Sequence, residues 1–251
     1  MKKLHFIIFF LIMTTVNAQQ KQDSYLITYT GQFNSLFNRG EDFRPYQAWL
    51  YIQGDQSLFT MKPLHQNSEQ NNMMSIDLIL DSMFTVYKDL ESNSLLFEFM
   101  DLSQRSYYYA DTLYPMQWNI THERKKINGA ICIKAITEFK GREYISWYDS
   151  SIQVSNGPWK LGGLPGLILE AYDAEKQWHL VANVISNDAH FNFKYYKGLM
   201  NKPIQGYGGY SAHMKKLFNS IEGLMSAQQS DDCLTCETKS QLKINTWEPI
   251  Y

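Results

Sequence analysis

The chain has 251 residues, with 23 basic and 25 acidic side chains and a formal net charge of −2 at pH 7. This slightly acidic balance excludes the basic surface that binding to a nucleic-acid backbone requires, so no nucleic-acid partner is expected. The length suits one large domain, and the 15% aromatic content favours strands, because aromatic side chains pack well on pleated, half-buried surfaces.

The first eighteen residues have the layout of a secretory signal peptide. Two lysines precede an apolar run at residues 4–13, and Val16 and Ala18 occupy the −3 and −1 positions of a cleavage site. The apolar run is too short to span a bilayer. We therefore expect a signal peptide over 1–18 and a single β-rich domain over 19–251. That domain is expected to be periplasmic or secreted, with no membrane span after cleavage.

Short strands separated by turns account for most of the chain up to about residue 200. Strands are predicted in the first half at 25–29, 48–52, 58–59, 82–87, 95–99 and 105–110. The polar stretch at 66–74 predicts a loop. Regular spacing of this kind is typical of a mainly β fold, so we expect an antiparallel sheet that forms a sandwich or half-barrel.

A hairpin is predicted where residues 131–139 and 142–149 alternate around Lys140-Gly141. If these two residues form the turn, the numbers of paired positions sum to 281. One face of the hairpin is then rich in apolar and aromatic side chains and is the core candidate. The other face places Lys134 beside Trp147, and we interpret it as a groove wall or a solvated face.

A second hairpin and a helix follow. Residues 167–173 begin as a continuous apolar run, which indicates burial on both faces of a central strand, and 178–185 return beside them. From 211 to 228, apolar residues recur at intervals of three and four, which predicts one amphipathic helix near the C-terminus. We expect this helix to cover one face of the sheet.

A glycine- and proline-containing motif lies between the two hairpins, at residues 162–168. Pro165 and Gly166 occupy the positions that predict a type II turn over 164–167. The proline also removes a backbone donor and a strand follows, so a phosphate-binding loop is not expected. The residues with a structural role in this motif are Gly163, Leu164, Pro165, Gly166, Leu167 and Ile168.

The motif resembles the GLPGLI family, a group of exported bacterial proteins that takes its name from these residues. The resemblance extends upstream through Cys132, Gly141-Arg142, Trp147-Tyr148 and Gly157-Pro158. Near the end, Glu248-Pro249-Ile250 stands where the family has Asn-Pro-Ile. The family has no established biochemical activity, so the resemblance implies export and leaves the function open.

The sequence contains aromatic side chains suited to an apolar ligand and no recognisable catalytic set. A nucleophile elbow is absent, and the histidines stand in unrelated contexts. The candidate ligand-binding residues are Lys134, Trp147, Tyr148 and Trp159. We expect a non-catalytic binding protein for an apolar small molecule or a cell-envelope protein, with no cofactor.

Two alternatives stay open. Cys233 and Cys236 form a CxxC pair, which could be a disulfide or could supply two ligands of a thiol-dependent copper or zinc site. Cys132, His213 or a methionine would complete that site. The other alternative is an enzyme of unrecognised type, which would need titratable side chains that converge in one pocket.

Overall fold

The computed structural model describes residues 24–34, 37–38, 43–64, 84–100, 106–187, 189–200, 205–228 and 243–244. The predicted signal peptide, the predicted loop at 66–74, the pair Cys233 and Cys236, and the segment 248–250 lie outside these residues. The described strands are β1 (Ser24–Asn34), β2 (Phe37–Asn38), β3 (Phe43–Gln53), β4 (Gln56–Pro63), β5 (Phe84–Asp89), β6 (Ser94–Met100), β7 (Ser106–Thr112), β8 (Asn119–Ile127), β9 (Ala130–Phe139), β10 (Arg142–Asp149), β11 (Leu167–Asp173), β12 (Trp178–Asn187), β13 (Gln205–Gly206) and β14 (Lys243–Ile244).

Twelve of these strands form one sheet, in the order β13-β7-β6-β5-β4-β3-β1-β12-β11-β10-β9-β8. Neighbouring strands are antiparallel, except that β13 runs parallel to β7. The sheet thus has two arms on either side of β1: the β3–β7 arm, in chain order, and the β8–β12 arm, in reverse order. This arrangement confirms the mainly β, antiparallel fold that the residue pattern predicts.

Each strand predicted in the first half overlaps an observed strand. The residue pattern did not predict β8, a polar strand at the edge of the sheet. Buried and exposed residues do not alternate along this strand, and only Ile127 at its end is buried. An edge strand with solvent on both faces lacks the apolar period on which strand prediction depends.

The first hairpin has the predicted register. Phe139 pairs with Arg142, and pairing continues to Ile133 with Tyr148, so the numbers sum to 281 throughout. Lys140 and Gly141 both have positive φ, at 48° and 73°, as the tight turn between twisted strands requires. The period of two and the turn residues therefore predict this pairing correctly.

The second hairpin also follows the prediction, because β11 is buried on both of its faces. The predicted C-terminal helix is observed as α2 (Tyr207–Gln228), and it begins four residues earlier than the apolar period indicates. The structure adds α1 (Lys194–Met200), a seven-residue helix too short to show a period. No helix within the described part of the chain is long and apolar enough to cross a membrane.

The two helices cover opposite faces of the β3–β7 arm. Tyr87 of β5 pairs with Leu58 and Leu96, and this face packs against Phe193 and Leu199 at α1. The opposite face packs against α2, whose Tyr210 ring lies 5.1 Å from Phe97 and 5.4 Å from Tyr109. Both faces of the arm are thus buried, and each face belongs to a separate cluster of apolar side chains.

An aromatic cluster forms the centre of the main core. Trp159 lies 5.6 Å from Tyr144 and 6.1 Å from Trp178, measured between ring centroids, and all three side chains are buried. Rings at these distances contribute packing energy beyond their area burial. Trp159 belongs to the loop between β10 and β11, so this loop is part of the core.

The loop and the curvature of the sheet bring the two arms together. β5 and β11 lie five positions apart in the strand order, which corresponds to about 24 Å in a flat sheet. Nevertheless, Lys88 of β5 donates hydrogen bonds to Gly157 and Leu161 in the loop before β11. The concave side of the sheet is therefore closed by this loop.

Candidate functional site

A pocket of about 380 Å³ opens where three connecting segments meet on the concave side of the sheet. These segments are the turn between β5 and β6, the chain that follows β7, and the loop between β10 and β11. The volume falls in the range of small-molecule sites in proteins. We call it the motif pocket, and its lining residues are Lys88, Leu90, Asn93, Leu113, Tyr114, Pro115, Met116, Ser155, Asn156, Lys160, Leu161, Gly162 and Gly163.

Backbone hydrogen bonds hold the loop that builds one wall of the pocket. The carbonyl of Asn156 accepts from the amide of Ile168, and Asn156 also forms a β-bridge with Gly162. Trp118 adds a side-chain clamp, because its Nε1 donates to the carbonyl of Gly162 at 2.8 Å. These contacts fix the backbone of the wall at Asn156 and at Gly162.

A strained residue lies inside this loop. Trp159 has a φ of +53°, a conformation that large side chains rarely adopt. It follows Pro158, whose carbonyl accepts from the amide of Leu161 and closes a turn. Burial of the indole in the aromatic cluster offsets the strain, and the same turn places Lys160 and Leu161 on the pocket wall.

The turn at the motif differs from the predicted type II turn. The amide of Gly166 donates to the carbonyl of Leu164 at 2.8 Å, which is the three-residue turn centred on Pro165. The amide of Leu167 bonds instead to Ile152. A side-chain carbon on Gly166 would lie 2.2 Å from the carbonyl oxygen of Asp149. Close approach of the two backbones, added to its positive φ, therefore requires this glycine.

Lys88 is a buried cation on the pocket wall. It occupies β5 on the concave face, two positions after Val86, and its side chain is 2% exposed. The Nζ atom donates to the carbonyls of Gly157 and Leu161 at 2.9 and 3.0 Å. Burial lowers the pKa of Lys88 to about 7, since removal from water disfavours the charged form.

Lys160 brings a second cation to the same wall. Its side chain is buried, and Nζ lies 5.3 Å from the ring centre of Phe97 and 5.8 Å from that of Trp159. Aromatic faces attract a cation through their quadrupole and accommodate its apolar stem. Among the described residues that line the pocket, none has a carboxylate.

Asn156 contributes a fixed amide group. Its Oδ1 accepts from the backbone amide of Gly157 at 2.8 Å, which establishes which end of the side chain is oxygen. Its Nδ2 is buried without a hydrogen-bond partner among the described residues. A buried donor without an acceptor destabilises the folded state by about 1–3 kcal/mol. Asn156 therefore brings an amide group with an unpaired N–H to the lining of the pocket.

The four ligand-binding residues predicted from the sequence lie in two different places. Tyr148 and Trp159 are buried in the main core, at 3% and 1% exposure. Lys134 and Trp147 pair across the first hairpin, on the opposite face of the β8–β12 arm. Trp159 adjoins the motif pocket through its neighbour Lys160. A ligand-binding role for these residues stays a prediction.

The face that contains Trp147 carries a polar network. Lys125 of β8 lies over the Trp147 ring, 4.3 Å from its centre, and forms an ion pair with Glu170. The other oxygen of Glu170 lies 2.9 Å from Nε2 of His179. Burial acts to raise the pKa of Glu170, but the hydrogen bonds from His179 and Lys125 hold it below its ordinary value. Lys134 pairs separately with Glu123.

This network leaves little of the predicted groove open. Trp147 is 7% exposed, because Lys125 covers its ring. The sequence predicts the pairing of Trp147 with Lys134, but it does not predict that Lys125 covers the Trp147 ring. That cover comes from β8, where a register shift between Ile120 and Arg124 interrupts the alternation.

The predicted metal ligands within the described residues are far apart in the strand order. Cys132 lies on β9, whereas His213 of α2 forms a 2.7 Å hydrogen bond with Tyr109 of β7. No group of three or more His, Cys, Asp or Glu side chains suited to a metal ion occurs in the described part of the chain. A site that includes Cys233 and Cys236 stays a prediction.

We expect Cys132 to resist alkylation in the folded protein. Burial, together with the nearby Asp149 and Glu170, raises its thiol pKa to about 11, and the thiolate is the reactive form. At pH 8, iodoacetamide should modify the tryptic peptide 127–134 roughly 100-fold more slowly in native protein than in urea. Peptide mass spectrometry over time measures both rates. Equal rates would contradict the buried placement.

Sequence reasoning missed three buried polar residues that line the motif pocket, namely Lys88, Asn156 and Lys160. The sequence contained one signal for Lys88. This lysine lies on the same face of β5 as Val86, and a lysine is unusual on a buried strand face. Asn156 and Lys160 lie in an irregular loop, where no period reports burial.

Comparison with known families gives a match over part of the chain. Residues 136–170 match a family described as a protein of unknown function (Porph_ging). The matched segment runs from β9 through the complete motif into β11, and thus contains one wall of the pocket. No curated protein matches the sequence.

Among solved structures, PNGF-II resembles this chain with a TM-score of 0.50 and 18% sequence identity. The match covers 78% of this chain and 33% of the PNGF-II chain, so this chain corresponds to about a third of that protein. A DUF1329 family protein from Desulfovibrio piger ATCC 29098 matches with a TM-score of 0.28 and 9% identity, over 73% of this chain and 93% of the other. At this identity, the likeness to PNGF-II shows a shared fold alone.

Proposed function

We propose that this chain is an exported, non-catalytic binding protein and that an apolar small molecule occupies the motif pocket. The observation that carries the proposal is the pocket itself, a preformed cavity with fixed walls and a few polar groups. Ligand sites in proteins have this composition, with apolar walls and a small number of oriented polar groups. Export is inferred from the signal-peptide layout of residues 1–18.

The motif has a specific part in this proposal. Leu164, Leu167 and Ile168 are buried in the core, and Gly162 and Gly163 face the pocket. The motif thus ties a pocket wall to the central strand β11. We infer that the chain is a GLPGLI-type protein and that the motif residues shape this wall instead of carrying a reaction.

Obstruction of the pocket tests the proposal. We expect Met116→Trp to abolish ligand retention, because the indole would occupy the cavity, whereas Val184→Trp on the exposed surface of β12 should have no effect. Protein purified from its own cell envelope would be measured by intact-mass spectrometry under native and then denaturing conditions. Wild-type protein and the β12 control should carry an extra mass that leaves on denaturation.

The same measurement separates the other candidates. A bare wild-type mass would contradict the small-molecule proposal and favour a cell-envelope protein as partner. An added mass equal to copper or zinc, insensitive to the pocket substitution and lost in Cys233→Ser, would favour the thiol-dependent metal site. Retention of an organic ligand in Met116→Trp would place the ligand outside the motif pocket.

A further inference from the structure

We infer that the open edge of β8 binds a short, extended, acidic segment of a partner protein as an added strand. One apolar side chain of that segment would enter an open cavity beside the edge. This cavity and the motif pocket share no lining residue, so the interaction is independent of the ligand in the motif pocket. The direction of the backbone groups of β8, the charge of the strand and the lining of the cavity support it.

The strand β8 ends the sheet, and one side of its backbone faces no other strand among the described residues. The opposite end of the sheet is β13, which has two residues and continues directly into α2. Most residues of β8 are exposed. An edge strand of this kind presents N–H and C=O groups that can pair with another chain.

The register of the β8–β9 hairpin shows which backbone groups point outward. Ile127 and Ala130 flank its two-residue turn, and the closing pair of such a turn exchanges the hydrogen bonds. Hydrogen-bonded and non-hydrogen-bonded pairs alternate along an antiparallel ladder, so the next pair, Lys126 with Ile131, exchanges none. The same holds two residues further on, at Arg124. The backbone N–H and C=O groups of Lys126 and Arg124 therefore point away from β9.

A register shift limits this edge to a short segment. It lies between Ile120 and Arg124, and the Arg124 guanidinium donates to the carbonyls of Thr121 and Glu123 at 3.2 and 3.1 Å. Bulges restrict pairing at sheet edges, since they interrupt the row of backbone groups. Residues 124–127 keep a regular register with β9. The edge therefore suits a short added strand and disfavours a long one.

The exposed charge of β8 favours an acidic partner. Its one acid, Glu123, forms an ion pair with Lys134 of β9. Arg124 and Lys126 are exposed and form no ion pair with other residues that the structure describes. Carboxylates on an added strand would gain charge-assisted hydrogen bonds and Coulomb attraction beside these two cations, whereas a basic segment would be repelled.

An open cavity of about 380 Å³ lies beside this edge. Its lining residues are Arg124, Ala130, Ile131, Ile133, Asp149, Ser150 and Ser151. Ile131 is 62% exposed, whereas Ile133 packs against the main core, so a side chain in the cavity would contact apolar surface. Asp149, the acid of the lining, is buried and accepts hydrogen bonds from the amide and the hydroxyl of Ser151.

The edge and the cavity lie on the same side of the hairpin. Arg124 pairs with Ile133 and Lys126 pairs with Ile131, so all four side chains belong to one face. Alternate side chains of an added strand would point to this face, where one of them would reach the two isoleucines. Peptide recognition at sheet edges combines main-chain hydrogen bonds with pockets for alternate side chains. The β8 edge and its cavity provide both.

A displayed library of random nonapeptides, selected on immobilised wild-type protein, tests the inference. We expect the recovered peptides to contain one large apolar residue flanked by aspartate or glutamate. Synthetic copies, measured by fluorescence polarisation, should bind roughly tenfold more weakly at high salt than at low salt, since exposed charges are screened. Recovery of no peptide, or of peptides without acidic residues, would overturn the inference.

Two substitutions of Lys126 separate strand addition from charge. Lys126→Gln removes the charge and keeps the outward N–H, so peptide affinity should fall about two- to threefold. Lys126→Pro also removes the N–H and should weaken binding roughly tenfold or more. Both variants should keep the circular dichroism spectrum of wild type, because this N–H is not bonded to β9. Equal affinities of the two variants would overturn strand addition.

A substitution in the cavity tests the apolar contact. Ile131→Ser should weaken peptide binding roughly fivefold or more, because the bound apolar side chain would lose its partner. Val184→Ser is the matched control, since it removes another exposed apolar side chain, on β12, and should bind as wild type. Unchanged affinity in Ile131→Ser would exclude the cavity as the site of the apolar residue.

A second copy of this chain is the other possible occupant of the edge. Pairing of two β8 strands would bring Arg124 and Lys126 of both copies together, and like charges repel. We therefore expect wild-type protein to sediment as a monomer at micromolar concentration. A dimer that Lys126→Pro dissociates would overturn the acidic partner and assign the edge to self-association.

Discussion

Replacement of Lys88 by methionine is expected to lower the free energy of unfolding by about 2–4 kcal/mol at pH 9. The methionine retains an apolar stem but leaves the buried carbonyls of Gly157 and Leu161 without their donors. Each buried acceptor that loses its partner destabilises the protein by about 1–3 kcal/mol. Urea unfolding of ligand-free protein, followed by tryptophan fluorescence, measures the change.

The loss should depend on pH. The folded-state pKa of Lys88 is about 7, below the value near 10.4 for an unfolded chain. Between these values the unfolded chain binds a proton that the folded chain does not, so the stability of wild type relative to the variant rises with pH by about 1.4 kcal/mol per unit. Below pH 7 both states are protonated and the difference is constant. The destabilisation by Lys88→Met is therefore smallest at pH 6 and larger at pH 9.

The surroundings of Lys88 permit a clean comparison. The titratable groups near it include Lys160 and Tyr114 on the pocket wall and its neighbours Tyr87 and Asp89 in β5, and both proteins contain all four. An equal loss at pH 6 and pH 9 would show that Lys88 retains an ordinary pKa in the folded protein.

Substitution of Gly166 by alanine is the second change with a large expected effect, a loss of about 3 kcal/mol or more. The new methyl group would lie 2.2 Å from the carbonyl oxygen and 2.8 Å from the carbonyl carbon of Asp149. These are backbone atoms at the end of β10, so the clash cannot be relieved by a side-chain rotation. Either β10 or the start of β11 would have to move.

Gly162→Ala is the matched control for this substitution. The nearest atom to its added carbon would be the carbonyl oxygen of Ser155 at 3.4 Å, and this glycine is not among the residues with positive φ. We expect it to change stability by less than about 1 kcal/mol. Thermal and urea unfolding of both variants would be compared with wild type. Equal effects of the two alanines would contradict the close approach of Gly166 to β10.

Lys88 and Gly166 both position the loop between β10 and β11. Lys88 ties the β3–β7 arm to the loop, and Gly166 lets the end of the loop pass against β10 on the other arm. Loss of either contact should loosen the wall that contains Asn156. We therefore expect both variants to weaken retention of the small molecule proposed for the motif pocket, in addition to their effects on stability.

The sequence by itself determined the local pairing of this protein. The register of the first hairpin followed from Lys140-Gly141 and a period of two, because a two-residue turn with positive φ admits one alignment. Burial of β11 on both faces followed from its apolar run, and α2 followed from a period near 3.6. These are properties of neighbours along the chain, which propensity and periodicity report directly.

The tertiary structure alone decided the candidate site. Lys88 and Gly157 are 69 residues apart in the sequence. The lysine interrupts the apolar pattern of its strand, and the sequence alone does not show which acceptors it contacts. The turn at Pro165 was predicted as type II from its residue types. The three-residue turn formed instead is the one that lets Gly166 pass within contact of Asp149. Periodicity reports which face of a strand is buried but not what lies across from it, and the motif pocket consists of such contacts.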